Sequence, residues 1–196
     1  MDYSKPSRPE PRYVSDAVTI AAKILVVGHF AVGKTTFIGS LSEIAPLRTE
    51  ERMTQAAAHV DDLRGAPDKM TTTVALDFGR LTLSDDVVLY LFGTPGQQRF
   101  IQLWEDMARG ALGALILVDP VRLAESFPVI ELVEKYGLEY SIAVNSFTPE
   151  EYDEAEIREA LDLLPDTPVS YCDARSRESS GQALITLVRH LLSRTA

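Results

Sequence analysis

At 196 residues, 45% hydrophobic and 24% charged, the chain has the size and balance of one soluble α/β domain with a sizeable core. A formal net charge of −10 disfavours non-specific nucleic-acid binding and attraction to anionic lipid, and no apolar run approaches the roughly 20 residues of a membrane span. The single Cys172 cannot form an internal disulfide, and His29, His59 and His190 are too scattered for a zinc-type cluster; both point to a cytoplasmic protein without such a site.

In chain order, residues 1–17 contain Pro6, Pro9 and Pro11 with no apolar signal core, and read as a flexible tail before a domain spanning 18–196. Ile24 to Val27 is an apolar, β-branched run, the pattern of a buried parallel strand. It ends in Gly28-His29-Phe30-Ala31-Val32-Gly33-Lys34-Thr35-Thr36, followed by apolar Phe37, Ile38 and Leu41 at helical spacing. A strand, a glycine-framed loop and a helix in this order form the phosphate-binding P-loop pattern. Gly28 and Gly33 let the backbone curl so that N–H groups from Ala31 to Thr36 face phosphate oxygens, aided by the helix dipole. Lys34 supplies a point charge for the outer phosphates, and the Thr35 hydroxyl can ligate Mg2+.

Residues 45–72 form a long polar stretch in which Thr49 to Leu63 could be helical, with Thr49 as N-cap. Thr71 to Gly79 runs into Arg80–Leu83, Ser84-Asp85-Asp86 reads as a turn, and Val87 to Phe92 is a strand broken by Gly93-Thr94-Pro95-Gly96. A loop and helix follow over Gln97 to Arg109, then a strand at Ala111 to Val118 and a helix at Phe127 to Tyr136. Tyr140 to Val144 is a strand, Glu154 to Leu164 an amphipathic helix, Val169 to Tyr171 a short strand and Ser180 to Arg194 a closing helix. This alternation predicts a mostly parallel central sheet with helices on both faces and ligands at the carboxyl ends of its strands.

Four strings then narrow the chemistry. Leu91 to Phe100 (LFGTPGQQRF) resembles the second switch of Ras-like small GTPases, and Thr73-Val74-Ala75-Leu76-Asp77-Phe78 resembles the first switch entering its strand. Val144-Asn145 resembles the guanine-recognition motif, and Cys172-Asp173-Ala174-Arg175 the last motif of that family. With the P-loop, they occur in family order over about residues 22–195, and the TTV-x-x-DFG and TPGQ strings are similar to bacterial polarity-type GTPases, in particular those encoded in actinobacterial conservon clusters.

The resemblance implies a Ras-like G domain with an extended first switch, about 45–72, that binds GTP and GDP with Mg2+, hydrolyses GTP slowly and acts as a molecular switch. Lys34 and the loop N–H groups would cradle phosphates, Thr35 and Thr73 would bind Mg2+, Gly96 would meet the γ-phosphate and Gln97 would orient the attacking water. Asn145 and the Ala174 N–H would meet the guanine base. A roadblock-type (LC7-type) regulatory partner and a signalling role in the cytoplasm, or at the membrane periphery through a partner complex, are implied as well.

Two departures stand out. Gly93 occupies the place of an Asp that holds Mg2+ through water in the family, and Asp77 on the neighbouring strand is the candidate substitute. Thr148 stands where the family has the Asp that accepts two guanine N–H bonds, a loss on the order of 2–4 kcal/mol unless Glu150, Glu151 or Asp153 replaces it. Arg48, Arg52 and Arg64 in the long stretch are candidates for an intrinsic arginine finger, and Trp104 is expected to be core or half-buried. Two alternatives stay open: a pseudo-GTPase binding module, and an ATP-using P-loop enzyme such as a small kinase.

Overall fold

The computed structural model describes residues 17–45, 47–53, 72–95, 101–147 and 152–195. Seven strands alternate with helices: β1 (Ile20–Val27), α1 (Lys34–Leu41), β2 (Leu47–Met53), β3 (Thr72–Thr82), β4 (Val87–Gly93), α2 (Ile101–Ala108), β5 (Gly113–Val118), α3 (Phe127–Lys135), β6 (Tyr140–Asn145), α4 (Glu154–Ala160), β7 (Val169–Cys172) and α5 (Arg177–Thr195). A 3-10 helix, Pro120–Ser126, links β5 to α3. It begins where the Asp119 carboxylate accepts the Val121 N–H at 3.0 Å and Pro120 has no N–H to leave unpaired.

The strands form one sheet in the order β2-β3-β4-β1-β5-β6-β7. β4, β1, β5, β6 and β7 run parallel, while β3 is antiparallel to β4 and β2 antiparallel to β3. The expected α/β fold, mostly parallel and covered on both faces, is therefore present. Side-chain alternation along β1 explains the layering. Ile24 and Val26 join Phe37, Ile38, Leu41, Leu184 and Leu187 on the α1/α5 face. Leu25 and Val27 join Trp104, Met107, Ile130, Val133 and Ile157 on the α2/α3/α4 face. β1, β5 and β6 sit in the middle of the sheet and read as continuous apolar runs, as strands buried on both faces must.

The expected helix from Thr49 to Leu63 is corrected over its first residues. Leu47–Met53 is a strand, paired in unbroken register from Leu47↔Phe78 to Met53↔Thr72. A seven-residue ladder against β3 outweighs the modest helix propensity of Glu, Arg and Met, which is worth only tenths of a kcal/mol per residue. Residues 54–63 lie outside the described residues, as do 1–16 of the expected tail. Elsewhere the expected elements are present with shifted ends: the fourth helix stops at Ala160, not Leu164, and the last begins at Arg177, not Ser180.

Candidate functional site

β1 is the switch point of the sheet, since the chain moves to one side of it for β4 and to the other for β5. The crevice outside its carboxyl end is where such sheets take ligands. There the chain leaves β1 through Gly28 (φ 145°), Ala31 (φ 64°) and Gly33 (φ 107°), three positive-φ residues in six. Ala31 is the costly one, because a Cβ in the left-handed region is disfavoured by about 1–2 kcal/mol. Backbone strain of this kind concentrates at ligand clamps. Gly28 has no alternative residue: a Cβ there would lie 2.5 Å from the Leu117 carbonyl oxygen and 2.8 Å from Val32 Cγ1.

Gly33 caps α1 with no side-chain hydrogen bond, and no acidic residue lies in the first turn. The helix thus presents its free N–H groups and positive dipole end to the loop without an internal competitor. Lys34 Nζ donates to the Gly28 and His29 carbonyls, both at 2.7 Å, which folds the ammonium back over the loop. Burial lowers its pKa to about 8, partly opposed by the Asp77 carboxylate.

Beside the ammonium lies an oxygen pair. Thr35 Oγ1 donates to Asp77 Oδ2 at 2.5 Å. Asp77 reaches this place because its register partner on β4 is Gly93, the position that carries no carboxylate. A Cβ on Gly93 would sit 3.0 Å from Asp77 Cβ and 3.0 Å from Ile38 Cδ1, so a side chain there would be tightly crowded by Asp77. Thr35 and Asp77 offer the hard oxygen donors Mg2+ requires, next to the cradle where phosphate oxygens and waters can complete an octahedron. Thr73 lies further along β3, opposite Arg52, while Arg48 is the register partner of Asp77.

The β6–β7 side of the crevice is tied to the P-loop by Asn145, at the carboxyl end of β6. Its Nδ2 donates to the Val32 carbonyl at 2.9 Å, and its Oδ1 accepts the Ala174 N–H at 3.0 Å. Asn145 and Ala174 are each only 2% exposed. One amide therefore joins the P-loop to the β7–α5 loop and sets their spacing; a Cβ on Gly33 would strike Asn145 Nδ2 at 2.7 Å. Asp153 is engaged as the N-cap of α4 in a reciprocal capping box with Glu156. Asp173 is held by Arg175, whose guanidinium and backbone N–H drive its carboxyl down to about 2. Burial pushes the Cys172 thiol up to about 12, which leaves it a packing residue.

The structure thus brings Gly28, Ala31, Val32, Gly33, Lys34, Thr35, Asp77, Asn145 and Ala174 to one crevice. Gly96, Gln97, Thr148, Glu150, Glu151 and Arg64 lie outside the described residues. Sequence reasoning passed over two exposed aromatics at the same edge, Phe30 on the P-loop and Phe147 beyond β6, which are 66% and 61% exposed. Their signal was a large apolar residue in a loop, which single-chain reading assigns to the core by default. His29, set aside in the sequence as a metal ligand, is buried: its Nδ1 donates to the Phe30 carbonyl at 2.8 Å and lies 3.7 Å from Glu125 Oε2.

Among the described residues, no helix is long and apolar enough to cross a membrane. An uncharacterized protein of Methanocaldococcus jannaschii is 29% identical over 137 residues, covering 69% of this chain and 76% of that protein. Of solved structures, the FeoB G-domain from Methanococcus jannaschii superposes with a TM-score of 0.57 at 13% identity, over 88% of this chain and 98% of that one. The G domain of the T. maritima FeoB iron transporter gives a TM-score of 0.60 at 16% identity, over 87% and 98%. These two likenesses are of fold alone: the architecture is similar to that of the two G domains. Residues 26–149, well over half of the chain and inclusive of most of the P-loop, Asp77 and Asn145, match a protein family model, and the chain belongs to that family, described as conserved hypothetical ATP binding protein.

Proposed function

We propose that the chain is a GTP- and GDP-binding molecular switch that hydrolyses GTP slowly with Mg2+. The observation that carries this is the pairing of Thr35 with Asp77 beside Lys34 at the mouth of a strained, glycine-framed loop. Phosphates would lie on the N–H groups between Ala31 and Thr36, with the Lys34 ammonium released from the Gly28 and His29 carbonyls to meet them. Thr35 and Asp77 would hold Mg2+ with Thr73 joining from β3, and the ion supplies charge neutralisation at the β- and γ-phosphates when bound. Gly96 would meet the γ-phosphate and Gln97 would orient the water.

Positioning and charge neutralisation carry this reaction, so the basal rate is slow and open to acceleration by a partner. The switch would lie in residues 45–80 and 93–109, which flank Asp77 and Gly93 and order differently around a γ-phosphate. A roadblock-type regulatory partner and a signalling role in the cytoplasm belong to the same proposal, through the sequence resemblance.

A second possibility, a binding module without turnover, is favoured by Gly93 and by the engagement of Asn145 within the protein. Phosphate release from GTP under multiple-turnover conditions separates the two. The switch predicts turnover that needs Mg2+ and falls by on the order of 10–100-fold in Gln97→Ala with binding retained. Tight binding with no phosphate release would establish the binding module instead.

A further inference from the structure

We propose that His29 is a second cationic residue of the phosphate cradle: nucleotide binding draws a proton onto its buried ring, so that binding tightens as pH falls. This rests on the nucleotide-binding function proposed above and adds a residue to its site. His29 follows Gly28 in the loop, yet it is only 3% exposed. Imidazole is the side chain whose charge ordinarily changes between pH 5 and 8.

The hydrogen bonds fix where the proton goes. A carbonyl oxygen cannot donate, so the Nδ1 that meets the Phe30 carbonyl at 2.8 Å carries a hydrogen in either charge state. Titration therefore takes place at Nε2, which is buried and has no hydrogen-bond partner among the described residues.

Charges face the ring from two sides. From the 3-10 helix, Glu125 Oε2 lies 3.7 Å from Nδ1 and favours an imidazolium. Arg122 donates to that carboxylate at 2.8 and 2.6 Å and holds it below the usual carboxyl range, so it stays charged in mild acid. Asp119, just before the same helix, accepts the Val121 N–H. From the crevice, the Lys34 ammonium lies 2.7 Å from the His29 carbonyl oxygen and opposes a second cation, with Asp77 as its own counter-charge. Phosphates on the N–H groups between Ala31 and Thr36 would add negative charge beside the loop and offset the ammonium. Both changes favour the imidazolium, and burial leaves them weakly screened. Linkage is reciprocal: a ligand that favours the protonated ring is bound more tightly once the ring is protonated.

The test is binding of GTP with Mg2+ to the full, nucleotide-stripped chain from pH 8 to pH 5.5, for wild type and His29→Asn, whose amide can replace the Nδ1 donor without titrating. The titrations of GTP and Lys34 are common to both proteins, so the ratio of affinities isolates His29. That ratio, wild type over variant, is expected to rise about tenfold from pH 8 to pH 5.5, the equivalent of about one unit in the titration midpoint of His29. Ring-proton NMR of the untagged chain carrying His59→Gln and His190→Gln, in which His29 is the remaining histidine, should show that midpoint rising by about one unit on addition of GTP. A purely structural role would move neither. A constant ratio, or a midpoint that GTP leaves in place, would overturn the proposal while GTP binding left the phosphate cradle standing; the NMR measurement decides if His29→Asn does not fold. Failure of GTP to bind at any pH would overturn the GTP-binding function together with it.

Discussion

Single residues at the P-loop are set by very local constraints, and each has a measurable consequence. At Gly28 a Cβ would meet the Leu117 carbonyl oxygen at 2.5 Å, at a φ of 145° that L-residues avoid. Gly28→Ala is expected to lower unfolding free energy by about 2 kcal/mol or more, from clash and backbone strain together; a urea midpoint equal to wild type would refute the loop geometry. Lys34 carries a charge in a site that burial makes unfavourable for it, with a folded pKa of about 8 against 10.5 for the free side chain. Between those two values the unfolded chain binds the extra proton, so the stability contribution of Lys34 rises with pH across that window and is least favourable below pH 8. Phosphate reverses the balance by favouring the ammonium. Calorimetry of GTP binding at pH 8 in buffers of different ionisation enthalpy should record uptake of about half a proton, absent in Lys34→Met, if Lys34 is half-charged before binding; equal enthalpies in all buffers would contradict this.

Among elements, the informative relation is between β3 and β4. The carboxylate expected beside the magnesium position stands on β3 as Asp77 and not on β4, where Gly93 is its register partner. Close approach to Asp77 Cβ and Ile38 Cδ1 crowds any side chain placed at Gly93. Gly93→Asp alone should destabilise the fold by about 2 kcal/mol through overpacking and paired like charges. Combining it with Asp77→Gly should recover most of that loss and keep Mg2+-dependent GTP binding within about tenfold of wild type, whereas Asp77→Gly alone should lose it. Denaturation midpoints and Mg2+ titrations of the three variants decide it; a double variant no better than either single one would show that the two positions do not exchange. This relation marks the limit of what sequence conveys. Gly28, Gly33, Lys34 and Thr35 are legible in the chain, since their spacing alone dictates the loop and the helix start. Asp77 was legible only as a candidate, because strand register is set by pairing between distant segments. For the same reason Thr49 to Met53 read as the start of a helix: the partner strand lies beyond an intervening stretch, and nothing local announces it.

Over the whole molecule, a seven-stranded sheet brings the carboxyl ends of five parallel strands, β4, β1, β5, β6 and β7, to one edge. Asn145 draws two of the loops there together, so the P-loop and the β7–α5 loop are held at a fixed spacing by one buried amide. Its tie between two loops was not legible in the chain: Asn at this strand end reads as a base contact, and only tertiary structure shows both ends of the amide engaged within the protein. Trp104 is 3% exposed in the α2/α3/α4 layer, directly after the segment expected to sense the γ-phosphate. The central claim is that the P-loop, Thr35 and Asp77 form one site for a nucleoside triphosphate and Mg2+. Its most direct test is the affinity of the nucleotide-stripped chain for GTP with and without Mg2+, in wild type and Asp77→Ala. Mg2+ is expected to tighten GTP binding by at least about tenfold in wild type, and little or not at all in Asp77→Ala, on the scale of a lost charge-assisted ligand. GTP binding that ignores Mg2+, or an unchanged Mg2+ effect in Asp77→Ala, would contradict it.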